Sequence, residues 1–115
     1  MRVASSRVER RRHRRKYAEG DLGPERSFYF RGPEGKLNLR AQNLALFTQI
    51  AEGVDDATWL YHLRRGDYSH WFREFIKDDA LADEAARIEA QEQLSAAESR
   101  ARITAAIEDR YAPPA

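Results

Sequence analysis

His62, Asp67 and His70 fall within one stretch, residues 58–79, TWLYHLRRGDYSHWFREFIKDD, which also holds both tryptophans and half of the chain's Phe, Trp and Tyr. Imidazole and carboxylate together suit a zinc ion. Helical spacing argues against a shared ion. On a helix opening near Asp67, His70 lies opposite Phe72 and Phe75 and points at solvent, whereas His62 flanks Trp59 beside the core. No metal is expected. His62 is expected instead as a partly buried histidine, hydrogen-bonded across the turn to Asp67 and stitching two helices together.

The other candidate groups read as structural. Asp55-Asp56 and Asp78-Asp79 are paired carboxylates of the kind that hold magnesium or share acid–base work. Each pair, however, opens a helix, where aspartate satisfies free N–H groups and meets the positive end of the helix dipole. Gly35-Lys36 is followed by Leu37, without the spacing or the hydroxyl of a phosphate-binding loop. The chain has no cysteine, so thiolate chemistry and disulfides are excluded, and no serine sits in a glycine-flanked elbow. No catalytic residue and no cofactor is expected.

The elements that position these groups follow from hydrophobic spacing, which predicts a mainly α fold: a small bundle of about five helices, one short aromatic strand and a basic N-terminal arm. Residues 1–22 read as the arm or linker and 23–115 as a single helical domain. Ser27 to Arg31 is the strand, with Phe28 and Phe30 on one face, running into a Gly32–Gly35 turn with no second strand evident nearby. The first helix is predicted from about Leu39, capped by Asn38, to Glu52, with Phe47 on a broad apolar face. The second starts after Asp55 or Asp56 and ends at Gly66, with Trp59, Leu60 and Leu63 inward. Asp67 is expected to cap a short third helix striped by Tyr68, Trp71, Phe72, Phe75 and Ile76. A fourth, opened by Asp78 and Asp79, runs to about Glu92 on Leu81, Ala85 and Ile88. Ser95 and Glu98 form a capping box for the fifth, which reaches Tyr111.

Phe28, Phe30, Phe47, Trp59, Trp71, Phe72 and Phe75 are therefore the expected aromatic core. Their rings are expected to turn inward as glue between helices, leaving no pocket where bonds are broken. The alanine-rich last two helices are expected to leave some apolar surface for a partner or a second copy.

The net charge of +1 hides a segregation. Residues 1–16 carry eight Arg or Lys against the single Glu9, about +7, and the remainder is about −6. Arg10, Arg11, Arg12, Arg14, Arg15 and Lys16 can neutralise several phosphates of a nucleic acid without reading sequence. Only His13 and Tyr17 lie close enough to stack on bases. No apolar run approaches the span of about 20 residues that crosses a bilayer, so no membrane partner is expected. No secretory signal follows the basic start, and a cytoplasmic home is expected.

Several segments resemble the C-terminal module of large bacterial proteins that join a haloacid-dehalogenase-like phosphohydrolase domain to a P-loop ATPase domain. They are SFYFRGPEGKLNLRAQNLALF, GVDDATW, HLRRGDYSHWFREFIKDD and ESRARITAAIEDRYAPP. The arm, SRVERRRHRRKYAEGDLG, is similar to the linker that enters that module. A looser pattern, an aromatic strand followed by a His, a Gly-Asp pair and a Trp, is similar to a family of unknown function attached to sugar-phosphate-type phosphatases. Here it falls on Phe28, Phe30, His62, Gly66, Asp67 and Trp71.

The phosphohydrolase's DxDxT motif and the Walker lysine loop are absent from this chain, so the resemblance carries over no catalytic residue. What it implies is a non-catalytic accessory or interaction module, working in cis or in trans with a phosphohydrolase and ATPase, with protein as the expected partner. The alternative is a nucleic-acid-binding protein using the arm. Phe28, Tyr29 and Phe30 are expected to dock the entering segment. Should the module sense a phosphorylated ligand, His62, Arg64, Arg65, Asp67 and Arg40 are the residues expected to meet it.

Overall fold

A computed structural model of the chain describes residues 17–111. The fold is mainly helical, as the spacing predicts, and it also carries one small antiparallel sheet. The predicted nucleic-acid residues Arg10 to Lys16 lie outside the described residues.

Strand β1, Phe28–Phe30, does have a sheet partner. Strand β2, Leu39–Ala41, pairs with it antiparallel, in the register Phe28 to Ala41, Tyr29 to Arg40 and Phe30 to Leu39. This corrects the expectation of a helix opening at Leu39. The backbone groups of β1 need partners of their own, and Leu-Arg-Ala supplies them before the chain turns helical. The pleat then puts Phe28, Phe30 and Ala41 inside and leaves Tyr29 and Arg40 on the outer side. The packed unit also reaches back to Tyr17, which joins the core, and Asn43 Nδ2 donates to the Gly20 carbonyl at 2.7 Å.

Helix α1, Leu44–Gly53, is capped by Asn43, not Asn38; the Asn43 Oδ1 accepts the Leu46 N–H at 2.8 Å. Helix α2, Asp56–Arg65, is capped by Asp55, whose two carboxylate oxygens take the Thr58 N–H and hydroxyl at 3.0 and 2.8 Å. Those two bonds hold the Asp55 carboxyl below its usual range. Gly66 ends α2 in the left-handed region, φ 73°, where a Cβ is disfavoured.

Helix α3, Asp67–Trp71, runs directly into a π-helical turn, Phe72–Ile76. Lys77 stops it at φ 66°, a conformation that costs a non-glycine residue about 1 kcal/mol. Asp78 then caps α4, Asp79–Glu89, and its second oxygen takes the Tyr111 hydroxyl at 2.8 Å. Helix α5, Ala96–Tyr111, opens on the predicted capping box: the Glu98 N–H donates to Ser95 Oγ at 3.0 Å and the Ser95 N–H to Glu98 at 2.9 Å.

Phe47 of α1 is the hub of the core. Its ring centroid lies between 5.3 and 6.4 Å from those of Phe28, Phe30, Trp59, Tyr68, Trp71 and Phe72. Burying rings with polar tips requires a partner for each tip. The Trp59 indole N–H donates to Ser99 Oγ at 2.8 Å, the Tyr68 hydroxyl to the Trp59 carbonyl at 2.9 Å, and the Trp71 N–H to the Arg26 carbonyl at 2.8 Å. Burial pushes the Tyr68 phenol far above its ordinary range, so it serves as a neutral donor.

Two further expectations are corrected. Phe75 is only half-buried, on the rim of the core. Among the described residues the alanine-rich helices expose no large hydrophobic side chain either. Leu39 is the single large hydrophobic exposed among the described residues, because Ala82, Ala85 and Ala106 let the last two helices approach closely and bury Leu81, Ile88, Ile103 and Ile107.

Candidate functional site

His62 sits in the last turn of α2, 5% exposed, with its ring edge-on to Phe28. Its Nε2 faces two backbone donors from the chain leaving β1, the N–H of Arg31 at 3.1 Å and of Gly32 at 3.2 Å. A nitrogen that accepts from N–H groups carries no proton of its own, so the proton resides on Nδ1. Nδ1 donates to Asp67 Oδ2 at 2.8 Å, the bond the sequence predicts across the turn. Both ring nitrogens are thereby committed to holding β1, α2 and α3 together: Nδ1 donates, and the one available lone pair, on Nε2, accepts from two backbone N–H groups.

Asp67 does not cap α3 as expected. Its Oδ2 takes His62 and also the Nε–H of Arg65 at 3.1 Å, which holds the Arg65 guanidinium firmly charged. Helix α3 has Gly66 as its cap residue and no side-chain cap of its own. The free end is satisfied from α4, where Glu89 accepts the Ser69 N–H at 3.1 Å. Desolvation between the two helices raises the Glu89 carboxyl above its ordinary value, outweighing that bond.

Above the His62 ring lies a groove of about 350 Å³. Phe28, Trp71 and Phe75 give it an aromatic lining, and Asp67 and His70 reach it from α3. Trp59 is not part of it and stays in the core. The groove exists because the chain after β1 arches over α2. Gly32 allows that arch: φ is 73° and ψ −176°, and a Cβ there would sit 2.6 Å from Thr58 Oγ1.

Two arginines edge the groove. The guanidinium of Arg31 lies over the Tyr29 ring at 4.6 Å, and that of Arg65 over Tyr61 at 5.2 Å. Of the residues singled out from sequence, His62, Arg65 and Asp67 come together here. Arg40 and Arg64 do not line the groove. Arg40 bonds Asp21 at 2.7 Å and Ser27 at 2.8 Å on the outer side of the sheet, and Arg64 is exposed. Sequence reasoning missed Arg31 and Tyr61. Strand alternation carried the signal for the first, since residues 29 and 31 share one face of β1 and its extension.

Among the described residues no group of three or more His, Cys, Asp or Glu is placed to hold a metal ion. Nor is any described helix long and apolar enough to cross a membrane. No protein-family model, curated protein or solved structure matches the chain.

Proposed function

We propose that the chain is a non-catalytic accessory module that works in the cytoplasm beside a haloacid-dehalogenase-like phosphohydrolase and P-loop ATPase, in the same polypeptide or as a separate protein. The observation that supports this reading best is the full commitment of His62, which bonds the Asp67 carboxylate, to structural hydrogen bonds. The resemblance of the aromatic strand and the His62–Trp71 segment to such modules supplies the partner class. In a direct assay, purified protein is expected to hydrolyse neither an aryl phosphate nor ATP above a blank. Hydrolysis that disappears with both His62→Ala and Asp67→Asn, in variants that remain folded, overturns the reading.

The segregated charge favours one other reading, sequence-independent binding of nucleic acid by Arg10 to Lys16. Tyr17, one of the two candidate stacking groups, is 8% exposed and belongs to the core, which leaves the arm His13 and its charge for this work. Gel-shift affinity measured at two salt concentrations, with and without residues 1–16, decides the matter. Salt-dependent binding lost with the arm establishes the second reading, and unchanged or absent binding removes it.

A further inference from the structure

We propose that the groove over His62 binds small phosphate monoesters with a ring-shaped body, the phosphoryl group held between Arg31 and Arg65. The proposal stands apart from the accessory-module reading, since a phosphatase assay tests that reading without reference to any ligand here.

The charge of the groove selects an anion. Arg31 and Arg65 face one carboxylate, Asp67, and that carboxylate is already shared between His62 and Arg65. Arg31 makes no ion pair among the described residues; its guanidinium rests only on the Tyr29 ring. Stacking of this kind holds the planar group flat and leaves its N–H edges free to fork onto a phosphoryl oxygen pair. Arg65 spends its Nε–H on Asp67 and keeps its terminal nitrogens.

A single relay also links the Arg31 backbone to the Arg65 side chain. The Arg31 backbone N–H is fixed to His62 Nε2, His62 Nδ1 to Asp67, and Asp67 to Arg65 Nε. One imidazole thus fixes the Arg31 backbone and, through Asp67, the Arg65 guanidinium, which makes His62 and Asp67 positioning residues and Arg31 and Arg65 the binding groups. Preorganisation of this sort lowers the ordering cost of binding.

Size and surroundings narrow the class. A volume of about 350 Å³ admits a small organic molecule, and the lining of Phe28, Trp71 and Phe75 suits a sugar or a flat ring. The body of the protein, residues 17–115, carries about −6 overall, which repels a long polyanion from a site this small while the local arginine pair still attracts a compact one.

The test uses the full chain, labelled with nitrogen-15 and titrated with AMP and glucose 6-phosphate, with adenosine, glucose and inorganic phosphate as controls. Both esters are expected to shift the amides of Arg31, Gly32, Gly35, Tyr61 and Arg65 saturably. Adenosine and glucose are expected to shift none of them, and inorganic phosphate is expected to bind more weakly than either ester. Arg31→Gln, which keeps the backbone N–H to His62, is expected to weaken ester binding about tenfold or more with an unchanged melting midpoint. Shifts confined to residues 1–16 would mean that the basic arm takes the anion and would overturn the proposal. So would equal shifts from the neutral compounds, full affinity in Arg31→Gln, or no shift from any ester.

Discussion

His62 and Gly32 lie thirty residues apart in sequence, yet the histidine Nε2 accepts the glycine N–H at 3.2 Å in a buried contact. That bond, with its neighbour from Arg31, pins the arch after β1 onto α2 and creates the groove.

The arch tolerates no side chain at its apex. Gly32→Ala introduces a Cβ at a φ of 73°, 2.6 Å from Thr58 Oγ1. Strain and overlap together are expected to cost about 2–4 kcal/mol, read as a lower urea midpoint with an unchanged slope. A midpoint within error of the parent protein contradicts the geometry.

Truncating the imidazole should be costly for another reason. His62→Ala leaves two N–H donors without their acceptor, and a loss of about 2–4 kcal/mol is expected from orphaned donors and lost packing. Asp67→Asn still offers an oxygen to His62 Nδ1–H, so its expected cost is only about 1 kcal/mol. Chemical denaturation of both variants checks the order, which a merely surface-exposed histidine would not produce.

The indole of Trp59 depends on one hydroxyl across the core. Ser99 Oγ accepts its N–H at 2.8 Å and in turn donates to the Ala96 carbonyl at 3.0 Å. Ser99→Ala strands the indole donor in a fully buried site and is expected to destabilise by about 1–3 kcal/mol. Thermal melting followed by near-ultraviolet circular dichroism checks it. An unchanged midpoint would mean that the indole finds another acceptor.

Glu89 gives the stability a defined pH slope. Its carboxyl titrates above the ordinary 4.5 in the folded protein because desolvation between α3 and α4 outweighs the Ser69 bonds. The folded state therefore binds the proton more tightly than the unfolded state does. The contribution of this group is fully present below 4.5 and is lost as pH rises through the raised folded value. Glu89→Gln removes that slope while keeping an oxygen for the Ser69 N–H. Relative to the variant, the parent protein is expected to lose stability as pH climbs from 4.5, levelling off above the folded value. The opposite trend, measured by urea midpoints across pH, would show that the bond to Ser69 dominates.

What the sequence discloses and what it conceals follow physical range. The caps at Asp55, Asp78 and Ser95–Glu98 are local, formed within three residues, and are legible from residue type alone. The His62–Asp67 bond spans one turn and is legible too. Strand β2 is not. Leu39, Arg40 and Ala41 fit a helical face equally well, and only the unpaired edge of β1 makes them extended. Asp67 presents the same difficulty in another form: an aspartate at a helix start reads as a cap until a histidine and an arginine claim it, and the vacant role falls to Glu89 from another helix. Arg40 and Arg64 were drawn to the site by charge, whereas Arg31 reaches it by fold, through a hairpin packed on α2.

The role of His62 as a clamp rather than a reagent is tested most directly by its ring tautomer. Long-range proton–nitrogen correlation spectra at neutral pH are expected to show Nδ1 protonated and Nε2 bare, held by Arg31 and Gly32. A ring protonated on Nε2, or exchanging freely between tautomers, would mean that the two backbone bonds do not exist and that His62 is free for other chemistry.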